Sequence, residues 1–181
     1  MPAPMLSTSP VYPALYLYPL NDSFFIPKQI ALTTPGRRVR LGRKSPSSNA
    51  QSSPAPDKKQ VNFDSSVVSR QHAEVWQEGN KIFVRDTHSA NGTFVNGRRL
   101  SPEGQASYPY ELKTNDLLEL GTDITGYFDT IAHQRIVCRV VCVFTRVEVA
   151  MVAMADSRRQ RRGYSVTGSV YIPRYQEVSA G

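Results

Sequence analysis

Three short segments carry the side chains best suited to chemistry. Gly42-Arg43 ends one strand-like run, and Ser69-Arg70-Gln71-His72 opens another. Asn91-Gly92-Thr93-Phe94-Val95-Asn96-Gly97 begins nineteen residues after His72. Together they offer an arginine fork, a hydroxyl, a second arginine and a side-chain amide. Such a set of donors suits a phosphate or a peptide backbone. It does not suit bond breaking. No carboxylate is placed to orient His72, and no glycine-flanked nucleophile elbow surrounds Ser69. A hydrolase built on Ser69 and His72 lacks its third member and an oxyanion hole, so the expected class is recognition rather than catalysis. His88 and His133 are not spaced as zinc ligands with Cys138 or Cys142, and no metal, cofactor or small-molecule substrate is expected.

The segments between these loops must position them, and they read as strands. Leu15-Tyr16-Leu17-Tyr18, Gln29-Ile30-Ala31-Leu32 and Val39-Arg40-Leu41 come first. Ala73 to Gln77 and Lys81 to Asp86 alternate about a Glu78-Gly79-Asn80 turn. Asn96-Gly97 is a two-residue turn of the kind that needs positive φ. Asp116 to Leu120 and Arg135 to Phe144 complete the series. Many short alternating runs and no 3.6-residue period in the core predict an all-β antiparallel sandwich.

Composition marks the boundaries. Residues 1–13 are rich in Pro, Ser and Ala and are expected to be disordered. Residues 14–145 form the expected domain. Within it, residues 44–60 are a Ser/Pro-rich loop insertion with no hydrophobic period, and Ser45-Pro46 and Ser53-Pro54 there suit proline-directed kinases. Residues 146–181 lose the alternation and gain Arg158-Arg159-Gln160-Arg161-Arg162, which predicts a basic disordered tail. Cys138 and Cys142 lie four apart on one strand, about 13 Å at about 3.3 Å per residue, too far for a disulfide. Buried free thiols suit a reducing, cytoplasmic setting. Val147 to Ala155 is far shorter than the about 20 apolar residues a membrane span requires, so no span is expected in this chain. The net charge of +7 favours anionic partners. Nucleic acid is the alternative reading, but the basic residues are scattered and no aromatic-interleaved basic stripe appears.

Gly42-Arg43, Ser69-Arg70-Gln71-His72, Asn91-Gly92-Thr93 and Asn96-Gly97, in that order around strands, resemble the signature of the forkhead-associated (FHA) domain. The resemblance covers residues 14–145. It implies an eleven-stranded β-sandwich whose loops at one end bind a phosphothreonine peptide. Phosphothreonine carries about −1.5 to −2 charges and three strong acceptor oxygens. The resemblance gives Arg43 the phosphate fork, Ser69 the hydroxyl and backbone donor, and Arg70 a second cation. Asn91 takes the ligand backbone. Val67, two before the motif serine, and Ala90 are the implied specificity positions, and the apolar Val67 suggests a hydrophobic ligand side chain three after the phosphothreonine. His72 is implied to brace the binding loop from below, and Gly42, Gly92, Thr93, Asn96 and Gly97 are structural.

Phe63 to Ala73, Arg85 to Gly97 and Leu112 to Gly121 are most similar to the branch of sarcolemmal membrane-associated proteins and their fungal factor-arrest and vacuolar-sorting relatives. That branch implies an adaptor in a striatin-interacting phosphatase and kinase assembly. It implies work in the cytoplasm, the nucleus, or at the endoplasmic reticulum and nuclear envelope through partners. The long coiled coils and membrane anchor usual in those relatives have no counterpart in this sequence.

Overall fold

The computed structural model describes residues 11–20, 23, 25–44, 60–126 and 130–161. Among them are thirteen strands and one helix. In chain order the strands are β1 (Ala14–Pro19), β2 (Lys28–Ala31), β3 (Val39–Arg43), β4 (Gln60–Phe63), β5 (Ala73–Glu78), β6 (Lys81–Asp86), β7 (Thr93–Val95), β8 (Arg98–Arg99), β9 (Tyr110–Leu112), β10 (Leu117–Leu120), β11 (Ile124–Thr125), β12 (Ile131–His133) and β13 (Ile136–Val143). The helix is α1 (Arg146–Arg161).

One sheet runs β2-β1-β13-β10-β7-β8 and the other β4-β3-β5-β6-β9, eleven strands between them. β11 and β12 form a separate two-stranded ribbon. The expected sandwich of eleven strands is therefore what the chain builds. It departs from a purely antiparallel sandwich at one pair. β3 and β4 run parallel, with Leu41 opposite Val61. A parallel pair needs a long crossover, whereas a hairpin needs two residues. The Ser/Pro-rich stretch supplies that length. Residues 45–59 of it, with both Ser-Pro sites, lie outside the described residues, as do residues 1–10 and 162–181.

The strand alternation builds the core. Leu15, Leu17, Ile136, Cys138, Val140, Leu118, Leu120 and Val95 come from one sheet. Val39, Leu41, Phe63, Val75, Ile82, Val84 and Leu112 come from the other. Period-2 spacing sends each set to the same face, where the sheets pack. Both cysteines are free and buried in this interior. Burial pushes the thiols up, that of Cys142 to about 12, so neither is a ready nucleophile.

The chain after Thr145 is not the expected disordered tail, at least as far as Arg161. It forms α1. Thr145-Arg146-Val147-Glu148 is a capping box. Glu148 Oε2 accepts the N–H groups of Phe144 at 2.7 Å and Thr145 at 2.9 Å, and Glu148 N–H donates to Thr145 Oγ1 at 3.3 Å. The helix then lays Val149 and Val152 on Tyr16, Tyr18, Val141 and Val143, the outer face of β1 and β13. Tyr18 Oη donates to Asp156 at 3.0 Å. No helix among the described residues is long and apolar enough to cross a membrane.

Candidate functional site

Two loops and one strand end meet at one tip of the sandwich: residues 64–72 between β4 and β5, residues 87–92 between β6 and β7, and the end of β3. The meeting requires a bare backbone at Gly42. A β-carbon there would lie 2.0 Å from the carbonyl oxygen of Arg70. The first loop thus rests directly on β3, and Arg43 N–H donates to Ser69 O at 2.9 Å while His72 N–H donates to Leu41 O at 3.0 Å.

His72 joins the two loops from beneath. Its ring is fully buried. Nδ1 accepts the backbone N–H of Ser69 at 3.0 Å, and Nε2 lies 3.0 Å from Gly92 O. Because Nδ1 accepts from an amide, the proton must sit on Nε2, which donates to the carbonyl. Burial lowers the imidazole pKa below its ordinary value; the bond to Gly92 and the Asp86 charge oppose that shift without overcoming it. A neutral ring is the form that makes both bonds.

On the surface above this brace, Ser69 Oγ accepts the N–H of Ala90 at 3.2 Å, and Asn91 Nδ2 donates to Val67 O at 2.9 Å. The hydroxyl proton of Ser69 is left available to a ligand. One amide proton of Asn91 is engaged by Val67; its second and its Oδ1 have no partner among the described residues. The cations show the same contrast. The ion pairs of the described residues join Arg38 and Arg85 to Glu74, Lys81 to Glu111, and Arg135 to Glu119 and Asp123. Arg43 and Arg70 enter none of them. Both belong to the Ser69 neighbourhood, Arg43 through its N–H on Ser69 O at 2.9 Å and Arg70 as the next residue of the loop.

The second loop has its own anchor, which the sequence reading missed. Asp86 is buried, and its carboxyl accepts three donors: Ser89 N–H at 2.8 Å, Ser89 Oγ at 2.5 Å and Thr93 Oγ1 at 2.7 Å. Ser89 Oγ in turn accepts Gly92 N–H at 3.0 Å, and Ser107 Oγ accepts Asp86 N–H at 3.0 Å. The available signal was an aspartate followed three residues later by a serine at a strand end, the pattern of a side chain closing a turn on its own backbone. Gly92 takes φ +86° and passes its carbonyl to His72 and to Gly121 N–H, the latter at 2.9 Å.

The structure thus brings Arg43, Ser69, Arg70, Ala90 and Asn91 to one surface, over His72, Gly92 and Thr93. Asn96 and Gly97 stand apart, at the far end of β7. Both have positive φ and form the β7–β8 turn, and Asn96 also ties it to β10: Nδ2 donates to Asp116 at 3.0 Å and Oδ1 accepts Leu117 N–H at 2.9 Å. Val67 is a correction. Its side chain is 0% exposed and packs against Gly121, so only its carbonyl serves the site. A side chain in the core cannot read a ligand on the surface. The reason is a turn in which Val68 N–H donates to Ser65 O, which sends Val67 and Val68 inward and leaves Ser66 exposed.

Residues 39–121 match the model of the FHA domain. The chain is 40% identical over 126 residues to an uncharacterised protein of Schizosaccharomyces pombe, covering 68% of this chain and 39% of that protein. It is 47% identical over 64 residues to the probable E3 ubiquitin-protein ligase dma1 of the same yeast, covering 35% of this chain and 24% of the ligase. It is 34% identical over 119 residues to the sarcolemmal membrane-associated protein of Mus musculus, covering 65% of this chain and 13% of that protein. In each case the chain matches well under two thirds of the relative's length. The likeness reaches both the membrane-associated protein and the ligases, and the shared part is the sandwich with its recognition loops. The chain carries an FHA domain, a phosphothreonine-peptide-binding module of signalling proteins.

Proposed function

We propose that this chain binds a phosphothreonine-containing protein through the loop tip and acts as an adaptor rather than as an enzyme. The observation that carries the reading is the pair of arginines, Arg43 and Arg70, that enter no ion pair among the described residues and are joined to Ser69, one by a backbone hydrogen bond and one as its chain neighbour. The loop of Ser69 and Arg70 is fixed beforehand by the buried His72. A phosphate ester brings about −1.5 to −2 charges and three acceptors to that point. Arg43 offers it a planar fork, Ser69 a hydroxyl, and Arg70 a second charge. Asn91 has an amide proton and a carbonyl oxygen for the ligand's backbone, and Ala90 forms the exposed wall beside it. Preorganised donors lose little entropy on binding, so the charge-assisted bonds are expressed as affinity.

The test is calorimetric titration with a phosphothreonine peptide and its unphosphorylated twin. Only the phosphorylated form should bind. Arg43→Ala should weaken binding about tenfold to hundredfold, since a hydrogen bond to a charged group contributes about 1.5–3 kcal/mol. Equal heats from the two peptides would overturn the reading.

A finer reading places the phosphoprotein in a striatin-type phosphatase and kinase assembly of the cytoplasm. Its support is the 34% identity to the sarcolemmal membrane-associated protein. Affinity capture from cell extract with parent and Arg43→Ala protein, read for the striatin subunit, tests it. Recovery by both alike, or by neither, counts against it.

A further inference from the structure

Arg99 is the strongest feature that the phosphate site does not use. It lies on β8, opposite Phe94 of β7. Three contacts fix its guanidinium. Nε donates to Ser101 O at 2.8 Å. The group lies over the Phe94 ring, 5.6 Å from the centroid. It also leans back across Gly92, where a β-carbon would meet Cζ at 2.8 Å, Nε at 2.9 Å and Nη2 at 3.0 Å. An exposed arginine usually wanders among rotamers; this one is held flat against the backbone of the recognition loop. No carboxylate among the described residues pairs with it, and its Nη groups have no hydrogen-bond acceptor there.

Its place sets what it can touch. Ser69 Oγ contacts Ala90 N–H at 3.2 Å, and Gly92, which carries the Arg99 group, is two residues further along the loop. Two residues of chain span at most about 7 Å, so the guanidinium lies on the same loop as the serine's partner and within reach of a ligand seated there. An extended peptide advances about 3.3 Å per residue, so the separation corresponds to at most about four residues of ligand.

We propose that Arg99 is a specificity-determining residue that receives an acidic side chain of the ligand, two to four residues from the phosphothreonine. This rests on the phosphopeptide reading of the site. The planar Nη pair fits a carboxylate in bidentate fashion, and the Phe94 ring and Ser101 carbonyl hold it ready. The ligand class is thus an acidic phosphothreonine peptide, with one negative group at the serine and a second at Arg99. Val67, being buried, does not compete for this role.

The experiment uses the full chain and phosphothreonine peptides carrying Asp, Ala or Lys at each position two to four residues from the phosphothreonine, on both sides. The parent should bind the best-placed Asp peptide at least fivefold more tightly than its Ala twin, and the Lys peptide more weakly still. Arg99→Gln should abolish that preference while retaining the preference for phosphorylated over unphosphorylated peptide. Arg98→Gln removes the same charge from the neighbouring, exposed residue and should leave the preference intact. Arg99→Glu should invert it in favour of Lys. If the parent selects phosphopeptide but is indifferent to Asp, Ala and Lys, or if Arg99→Gln keeps the preference, the assignment of Arg99 is wrong and the phosphate site stands. If the parent binds no phosphopeptide, both readings fall. If Arg98→Gln loses the preference equally, the effect is general charge and Arg99 has no special place.

Discussion

At the scale of single residues, the site depends on groups that never meet the ligand. His72 makes both loop contacts only when neutral, because Nδ1 must accept from Ser69 N–H. Its folded pKa is depressed by burial below the ordinary imidazole value. The sign follows by linkage. The unfolded ring takes up a proton as pH falls through about 6.5, while the folded ring refuses it, so stability is full above that pH and declines below it. The slope is at most about 1.4 kcal/mol per pH unit and ends at the folded pKa. Urea unfolding at pH 7.5, 6.5 and 5.5 should show the decline in the parent. His72→Gln should be less stable at pH 7.5 and should lose this component of the slope; an identical slope would show that other groups carry it. Asp86 is the second such residue. Three donors converge on it, and Asp86→Ala leaves them without their acceptor in a closed interior. A loss of about 3 kcal/mol is expected from unfolding curves. Phosphopeptide affinity should fall with it, since Ser89 and Gly92 shape the loop that presents Asn91.

At the scale of elements, much of the arrangement was legible and the reasons for the failures are physical. The strands could be read because period-2 alternation sends one face inward, as in Ile82 and Val84 of β6. The glycine of β3 could be read as a backbone device, but not the fact that Arg70 O presses on it. That contact joins residues 28 apart in sequence. Val67 was misassigned because a motif offset counts residues along the chain, whereas a local turn decides which of them faces solvent. Arg99 and Asp86 escaped notice since each acts through neighbours brought by the other strand of a hairpin or by a loop. The helix was missed although Thr145-Arg146-Val147-Glu148 is a capping box in plain sight. A second sign was β13 itself: Val137, Val141 and Val143 lie on the face opposite Cys138 and Val140, and all are buried. A strand apolar on both faces needs a cover. The Gly42 contact also yields a prediction. Gly42→Ala must push the Arg70 carbonyl away, at a cost of about 1–3 kcal/mol by the measure of overpacked interiors. It should weaken phosphopeptide binding as well, because Ser69 and Arg70 move with that carbonyl. Retained affinity would mean that the loop can shift without disturbing the site.

At the scale of the whole molecule, stability and recognition are laid at separate places. The recognition loops gather where β13 begins, at Ile136 opposite Leu120, next to Gly121 and Gly92. α1 starts beyond the other end of that strand, at Val143 and Phe144, and covers the outer face of β1 and β13. The outer face under the helix shares no residue with the loop tip. Val152 of α1 is buried, at 2% exposure, among Tyr18, Val141 and Val143. Val152→Ala removes two buried methyl equivalents and leaves a small void, which should cost about 2 kcal/mol, from about 0.8 kcal/mol per buried carbon plus the cavity. Because the sandwich core and the His72 brace remain intact, phosphopeptide affinity measured well below the melting temperature should stay within twofold of the parent. Gly42→Ala, of similar thermodynamic cost, should lower both. The pair of variants separates a cover that merely holds the fold from a contact that shapes the site: a fall in affinity with Val152→Ala would show that α1 is coupled to the loop tip through β13, and the division of labour drawn from the topology would be wrong.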